Sequence, residues 1–497
     1  MRRRTVMIAA VAVLSTAFVT SASASAETQA TAARAPSQAG TWGTAAEIPN
    51  SMKLNHGGQA GVGTISCPVT AACSAGGSYT SHFTSGVPTV EAFVVNKSGG
   101  KWRAAKEVPG TDALNVGGKA KTVAVSCAST GNCGAGGTYT DAVGHAQPFV
   151  VDETGSVWGT AEQVPGIASL NVGKPGSQIT SLSCGGVGDC SAGGFYSDAS
   201  GHEQAFVVTE TGGVWGNAQE VPGTAALNAG GSAQVQSVSC KAGGNCTAGG
   251  FYASSINDTI PTIQAFVVDE TDGTWGTAQE VPGTAALNGG GFAVVFAVSC
   301  ASAGNCSAGG EYTDSTPATQ AFVVDETGGT WGTAEEIPGI SALNVQKLAA
   351  VNSISCTAPG DCTAGGVYQD GSFNGQAFVV DETGGTWGTA EEIPGTAALD
   401  QGAPGANTNV VSCASPGNCS AGGFYTDASG HEQAYVVSEV NGTWGTAEEV
   451  PGTAALNVGG VASVQSLSCA PAGRCSAGGQ YANSNLSAEV FTVNQAR

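Results

Sequence analysis

Sixteen cysteines fall into eight pairs, and the spacing within every pair is the same six residues: Cys67/Cys73, Cys127/Cys133, Cys184/Cys190, Cys240/Cys246, Cys300/Cys306, Cys356/Cys362, Cys413/Cys419 and Cys469/Cys475. From one pair to the next the chain advances 60, 57, 56, 60, 56, 57 and 56 residues. That period is longer than a helical solenoid repeat and suits a four-stranded propeller blade. Eight copies therefore predict one ring over 41–497, an all-β, single eight-bladed β-propeller, where 497 residues alone would suggest several domains.

The copy around Cys300 shows how one blade is written. Ala293 to Cys300 (AVVFAVSC) is rich in β-branched residues, and after a turn Cys306 to Tyr312 forms a second run. Gln320 to Asp325 (QAFVVD) is the third, and Trp331 to Ile337 (WGTAEEI), stopped by Pro338 and Gly339, the fourth. We call these strands a, b, c and d. The first recognisable element of the chain is a lone d-type run, Trp42 to Ile48, and the last is a c-type run, Glu489 to Val493. The N-terminus is thus expected to supply the d strand missing from the last blade, closing the ring and leaving no unpaired inner edge.

Residues 1–26 have the pattern of a secretory signal: Arg2, Arg3 and Arg4, an apolar stretch, then Ala24, Ser25 and Ala26. Residues 27–40 lack large apolar side chains and read as a disordered leader. The expected location is extracellular, without membrane insertion. Sixteen paired cysteines in an exported chain then point to one CX5C disulfide per blade. Each bridge is expected to join the end of strand a to the start of strand b across a five-residue turn, pinning that turn. Zinc would need further ligands, and only five histidines exist for eight pairs.

Of 16 basic residues three lie in the signal stretch, which leaves 13 against 38 acidic ones. So negative a chain is a poor partner for nucleic acid or an anionic membrane. The repeated acids of VVDETGG and WGTAEEI read as a solvated, charged rim on the outer strand. Each d strand opens with a tryptophan, read as packing between blades or as a platform for a sugar ring.

The c to d junction, Glu326 to Trp331 (ETGGTW), resembles the Asp-box hairpin, with Glu326, Gly328, Thr330 and Trp331 in its places and Glu standing for Asp. The cysteine block also resembles a cysteine-pair repeat of secreted actinobacterial proteins. The first resemblance points to a propeller, the second implies a propeller and export, and neither implies an activity. Sialidases carry Asp boxes, but that family grips its substrate with an arginine cluster, and between Trp42 and Val493 this chain has only Arg103 and Arg474.

The a to b and c to d turns never change length, whereas all length variation falls in the b to c loops and d to a connections on the opposite face. Variable loops on a rigid scaffold are where binding usually resides. The candidate ligand residues there are His82, Asp141, His145, Asp198, His202, Asp258, Asp314, Asp427 and His431. No catalytic, cofactor-binding or metal-ligating set is predicted. The expected function is a secreted, non-catalytic, monomeric binding module for an extracellular glycan or other polymer. The alternatives are a structural or protein-interaction scaffold and, third, a glycan-active enzyme.

Overall fold

A computed structural model describes residues 40–496 apart from 175, 242, 258 and 259. The predicted signal, the leader before Gly40 and the candidate Asp258 lie outside the described residues. The chain is an all-β propeller of eight sheets, each ordered a–b–c–d with antiparallel neighbours. In the fifth blade strand a is Ala293–Ser302, b is Asn305–Thr313 and c is Thr319–Thr327. Strand d is two fragments, Thr330–Trp331 and Glu335–Glu336, because after Trp331 the chain leaves strand c and returns to pair Glu335 with Val323. The ring closes as expected: Ala46 pairs with Thr492, Glu47 with Phe491 and Trp42 with Gln495.

All eight expected disulfides form: Cys67–Cys73, Cys127–Cys133, Cys184–Cys190, Cys240–Cys246, Cys300–Cys306, Cys356–Cys362, Cys413–Cys419 and Cys469–Cys475, with Cα atoms 3.9–4.1 Å apart. Their placement corrects the expectation of a bridge across a five-residue turn. Both strands run on past the bridge, so Ser302 pairs with Asn305 and the hairpin tip is only Ala303 and Gly304. The cysteines are strand residues, and the second of each pair, Cys73, Cys133, Cys190, Cys246, Cys306, Cys362, Cys419 or Cys475, is buried.

What buries them is the preceding blade, so the bridges belong to the joints between sheets as well as to their own turns. Hydroxyls of that blade lie against the sulfur of Cys73 (Ser476, 3.7 Å), Cys133 (Ser74, 3.4 Å), Cys306 (Thr247, 3.3 Å), Cys362 (Ser307, 3.2 Å), Cys419 (Thr363, 3.3 Å) and Cys475 (Ser420, 3.4 Å). Cys190 instead meets Gly134, on which a Cβ would come within 3.1 Å of its sulfur. Cys246 packs in one apolar cluster with Val207 and Val221 of the blade before it. Eight such bridges belong to an oxidising compartment. No described helix is long and apolar enough to cross a membrane.

The core lies between blades. Phe322 and Val324 of the fifth blade pack into one apolar cluster, while Val323 on the opposite side of the same strand packs with Ile354, Phe378 and Trp387 of the sixth. Strand c is therefore buried on both faces, which is why it reads as a continuous apolar run. Two glycines after the second cysteine make this possible. A Cβ on Gly309 would stand 2.8 Å from Ile354 in the next blade, and one on Gly310 only 1.9 Å from the carbonyl oxygen of Val294.

Two circular sets of hydrogen bonds join the blades. On strand a, the Ser preceding each first cysteine accepts from the backbone N–H of the next blade's cysteine, as in Cys356 N to Ser299 Oγ at 2.9 Å and, across the closure, Cys67 N to Ser468 Oγ at 2.9 Å. On the outside, Ala334 N donates to Pro282 O at 2.7 Å, and Ala45 N donates to Pro451 O at 2.7 Å across the closure. Buried donors need partners, and here the neighbouring blade supplies them.

After each Pro-Gly or Pro-Asn the chain adds a four-residue helix that the sequence reading does not contain, for example Thr284–Leu287. Seven of the eight end on a buried asparagine, and the seventh in chain order ends on Asp400. Asn288 Nδ2 donates to Ile263 O at 3.0 Å and Gln264 Oε1 at 2.9 Å, and its Oδ1 accepts Phe292 N at 2.6 Å. One side chain thereby ties strand c of one blade to the start of the next.

Candidate functional site

Six of the loops on the variable face share one construction. Their first residue, Asp141, Asp198, Asp314, Asp370, Asp427 or Asn483, accepts backbone N–H groups two and four residues on. In the Asp427 loop these bonds come from Ser429 at 2.8 Å and His431 at 3.0 Å, and Gln433 Nε2 adds a third at 3.0 Å. The candidate aspartates are thus held by their own loops. The donors and the nearby histidine together outweigh burial and keep the carboxyls of Asp198 and Asp427 below the usual range.

The candidate histidines sit on the rims of these loops. His202 and His431 place Nδ1 3.9 and 3.8 Å from Asp198 and Asp427. Their rings lie over Gly231 and Gly460, where a Cβ would come within 2.7 and 2.6 Å of ring carbon. His145 lies in the equivalent place in the Asp141 loop, and its backbone N–H donates to Asp141 Oδ1 at 2.9 Å. His82 lies on a longer hairpin between Ser81 Oγ at 3.0 Å and Thr89 Oγ1 at 3.2 Å. Each histidine belongs to a different blade, and the structure brings no two of them into one cluster.

What distinguishes the loops is their fourth residue. In three of them it is glycine at positive φ: Gly144 (84°), Gly201 (80°) and Gly430 (79°). In the sixth and eighth blades it is Phe373 (65°) and Leu486 (60°), whose side chains are 67% and 71% exposed. A bulky residue in that region is strained by roughly 1–2 kcal/mol. The first blade adds exposed Phe83 and Val87 on its extended hairpin. None of these apolar tips is among the sequence-predicted residues. The signal is present in the chain, since both sit where sister loops carry Gly.

The other face holds chemistry that the sequence reading places wrongly. The acids of VVDETGG, at the ends of c strands, are expected in a solvated outer rim. In the structure the second member of this pair is buried in every blade, and Glu210, Glu270, Glu326, Glu382 and Glu439 are 2–4% exposed. A strand buried on both faces has no solvent side on which to leave its final acid. Adjacent blades meet here in clefts floored by the disulfides. Four have volumes of about 260, 230, 210 and 120 Å3, each bounded by glycines of the hairpin tips.

Each cleft sets the first member of one blade's pair against the second member of the next. The tryptophan of the next blade reaches back to the first member: Trp331 Nε1 to Asp269 Oδ2 at 3.2 Å, Trp387 to Asp325 at 2.9 Å, Trp444 to Asp381 at 3.1 Å and Trp215 to Asp152 at 3.0 Å. The indoles are therefore joints between blades, and Trp331, Trp387 and Trp444 are too buried to stack on a sugar.

At four of the eight junctions the chain supplies a hydrogen-bonding match. Asn96 Nδ2 donates to Glu153 Oε1 at 2.5 Å, Thr209 Oγ1 to Glu270 Oε1 at 2.5 Å, Gln495 Nε2 to Ser438 Oγ at 2.9 Å and Lys97 Nζ to Asn494 Oδ1 at 2.6 Å. At the other four, acid faces acid: Asp152 and Glu210, Asp269 and Glu326, Asp325 and Glu382, Asp381 and Glu439. Burial first, then these aspartates, push Glu210, Glu326 and Glu382 up to about 7 and Glu439 to about 8. Each of the four retains a buried carboxyl oxygen without a hydrogen-bond partner. No group of three or more His, Cys, Asp or Glu converges on a metal-holding arrangement among the described residues.

No protein-family model matches the chain, and no curated protein matches it. Among solved structures it is similar to an ulvan lyase of a new polysaccharide lyase family at 10% identity and TM-score 0.43, covering 83% of this chain and 95% of that one. It is similar to the β-propeller domain of the Trilobed protease from Pyrococcus furiosus at 8% identity and TM-score 0.42, covering 79% and 95%. A Hadza microbial sialidase is similar at 11% identity and TM-score 0.36, covering 90% and 94%. Likeness of this order carries neither activity nor substrate to this chain.

Proposed function

We propose that the protein is a secreted binding module that engages an extracellular polysaccharide through its variable-loop face. The observation that carries the reading is the pair Phe373 and Leu486, exposed apolar side chains held in a backbone region that sister loops give to glycine. Strain kept at an exposed loop tip is characteristic of a binding contact. Phe373, on the Asp370 loop itself, offers a ring face for a sugar, with the polar Asp314 and Asp427 loops of the adjacent blades on either side in sequence order around the ring. Several weak loop contacts on one rigid ring would add through avidity on a repeating polymer.

The experiment is a glycan array followed by isothermal titration of the mature protein with the polysaccharides that score. Binding weakened at least tenfold by Phe373→Ala supports the reading. Absence of binding to any polysaccharide or cell-wall fraction overturns it. Retention of a protein partner from culture medium after deglycosylation would instead establish the scaffold reading, which the exposed aliphatic tips favour.

A further inference from the structure

The four acid–acid junctions lie on the opposite face from the loops and outside the binding surface proposed above. They differ from their sisters in one respect. At the other four junctions a side-chain N–H or O–H stands between the blades and satisfies the facing oxygen, whereas here two carboxyl groups meet and the facing side chain provides no donor for the glutamate. Glu210, Glu326, Glu382 and Glu439 are more than nine-tenths buried, and each has a carboxyl oxygen without a partner. Three of these glutamates line the clefts, together with the aspartate opposite. The aspartates are already oriented from behind by tryptophan N–H groups, and Asp269 and Asp325 also by Thr247 and Ser307 hydroxyls at 2.7 and 2.6 Å. Each carboxylate oxygen keeps lone pairs for a further partner.

We propose that each of the four acid–acid junctions binds a hard divalent cation of the calcium type, bridging the aspartate of one blade to the glutamate of the next. Calcium takes six to eight oxygens at flexible geometry, so two carboxylates can be completed by backbone carbonyls and water in a cleft that opens to solvent. Only two charged ligands per ion put the affinity in the weak range of extracellular calcium modules, on the order of 10⁻⁴–10⁻³ M. The ion would draw together two blades whose charges otherwise repel, in a chain of formal net charge −22.

The indole bonded to each aspartate supplies the readout. Terbium is added to the EDTA-treated and dialysed mature protein, and its emission is followed under tryptophan excitation. Sensitised emission that calcium displaces is expected, with about four ions per chain at saturation. The variant Glu210→Gln/Glu326→Gln/Glu382→Gln/Glu439→Gln should lose at least nine-tenths of it. Glutamine occupies the same place naturally at Gln495, so the ring accommodates the change, and circular dichroism checks this. As a second arm, Asn96→Asp should create a further acid–acid junction with Glu153 and raise the stoichiometry by about one. No sensitised emission from the wild type overturns the proposal. Emission that persists undiminished in the fourfold variant also overturns it, because the ion then sits elsewhere.

Discussion

The indole Nε1 of Trp387 donates to Oδ2 of Asp325 in the preceding blade at 2.9 Å. That bond crosses the boundary where every blade of this ring must stick to its neighbour, and the same link recurs from Trp331, Trp444 and Trp215. Replacing Trp387 with Phe keeps much of the apolar surface but deletes the donor and some volume. We expect a loss of about 1–3 kcal/mol and a lower thermal midpoint, read by calorimetry. Trp42→Phe should cost less, because its indole nitrogen has no hydrogen-bond partner.

In EDTA, stability should depend on pH in two directions. The facing groups are Asp152 and Asp189 for Glu210, Asp269 for Glu326, Asp325 and Asp361 for Glu382, and Asp381 and Glu391 for Glu439. These glutamates have folded pKa values raised above the unfolded one, so the folded state holds their protons more tightly. Their junctions are most stable below about pH 4.5, and that stability is lost as pH rises from there through about 7 to 8. The midpoint should fall by about 5 °C or more from pH 5 to pH 8. Glu326→Gln/Glu382→Gln should flatten the slope. The loop aspartates act oppositely, since their folded pKa values are lowered: stability from Asp198 and Asp427 is present above about pH 4 and lost on acidification below it. A monotonic profile over this whole range would contradict the assignment.

Phe373→Gly separates binding from folding. Glycine relieves the left-handed backbone that Phe373 adopts at φ 65°, so thermal stability should stay level or rise slightly, by up to about 1 kcal/mol. Polysaccharide affinity should fall at least tenfold by titration. A variant that loses both stability and binding would make Phe373 a packing residue.

Cutting the N-terminal strand tests closure. Removing 41–48 deletes the pairing of Ala46 with Thr492 and the bond from Ala45 N to Pro451 O. It also removes Ile48, which is buried beside Val62 and Val490. We expect the eighth blade to lose protection from hydrogen exchange first, with its strand c amides around Phe491 exchanging far faster than those around Phe322.

Phe322 and Asp325 show what can be read from the chain and what cannot. The cysteine period, the alternation of turn and strand and the disulfide partners follow from short-range spacing, because strand pairing within a blade joins residues close in sequence, and the N-terminal closure follows from counting strand types at the two ends, where a lone d run matches a blade that lacks one. The helix after each Pro-Gly escapes such a reading because four residues are too few to show a helical period. The burial of the final c-strand acids, and of the second cysteine in each bridge, escapes it for a different reason. Whether Glu382 meets solvent, Asn or Asp depends on a residue of the preceding blade, since Asp325 and Glu382 lie one repeat and one residue, 57 residues, apart. The amino-acid sequence by itself determined that eight sheets form and how each is stitched. Only the tertiary structure decided which side chains face each other between sheets, because that depends on the angle and offset at which whole blades pack, and no local pattern encodes it.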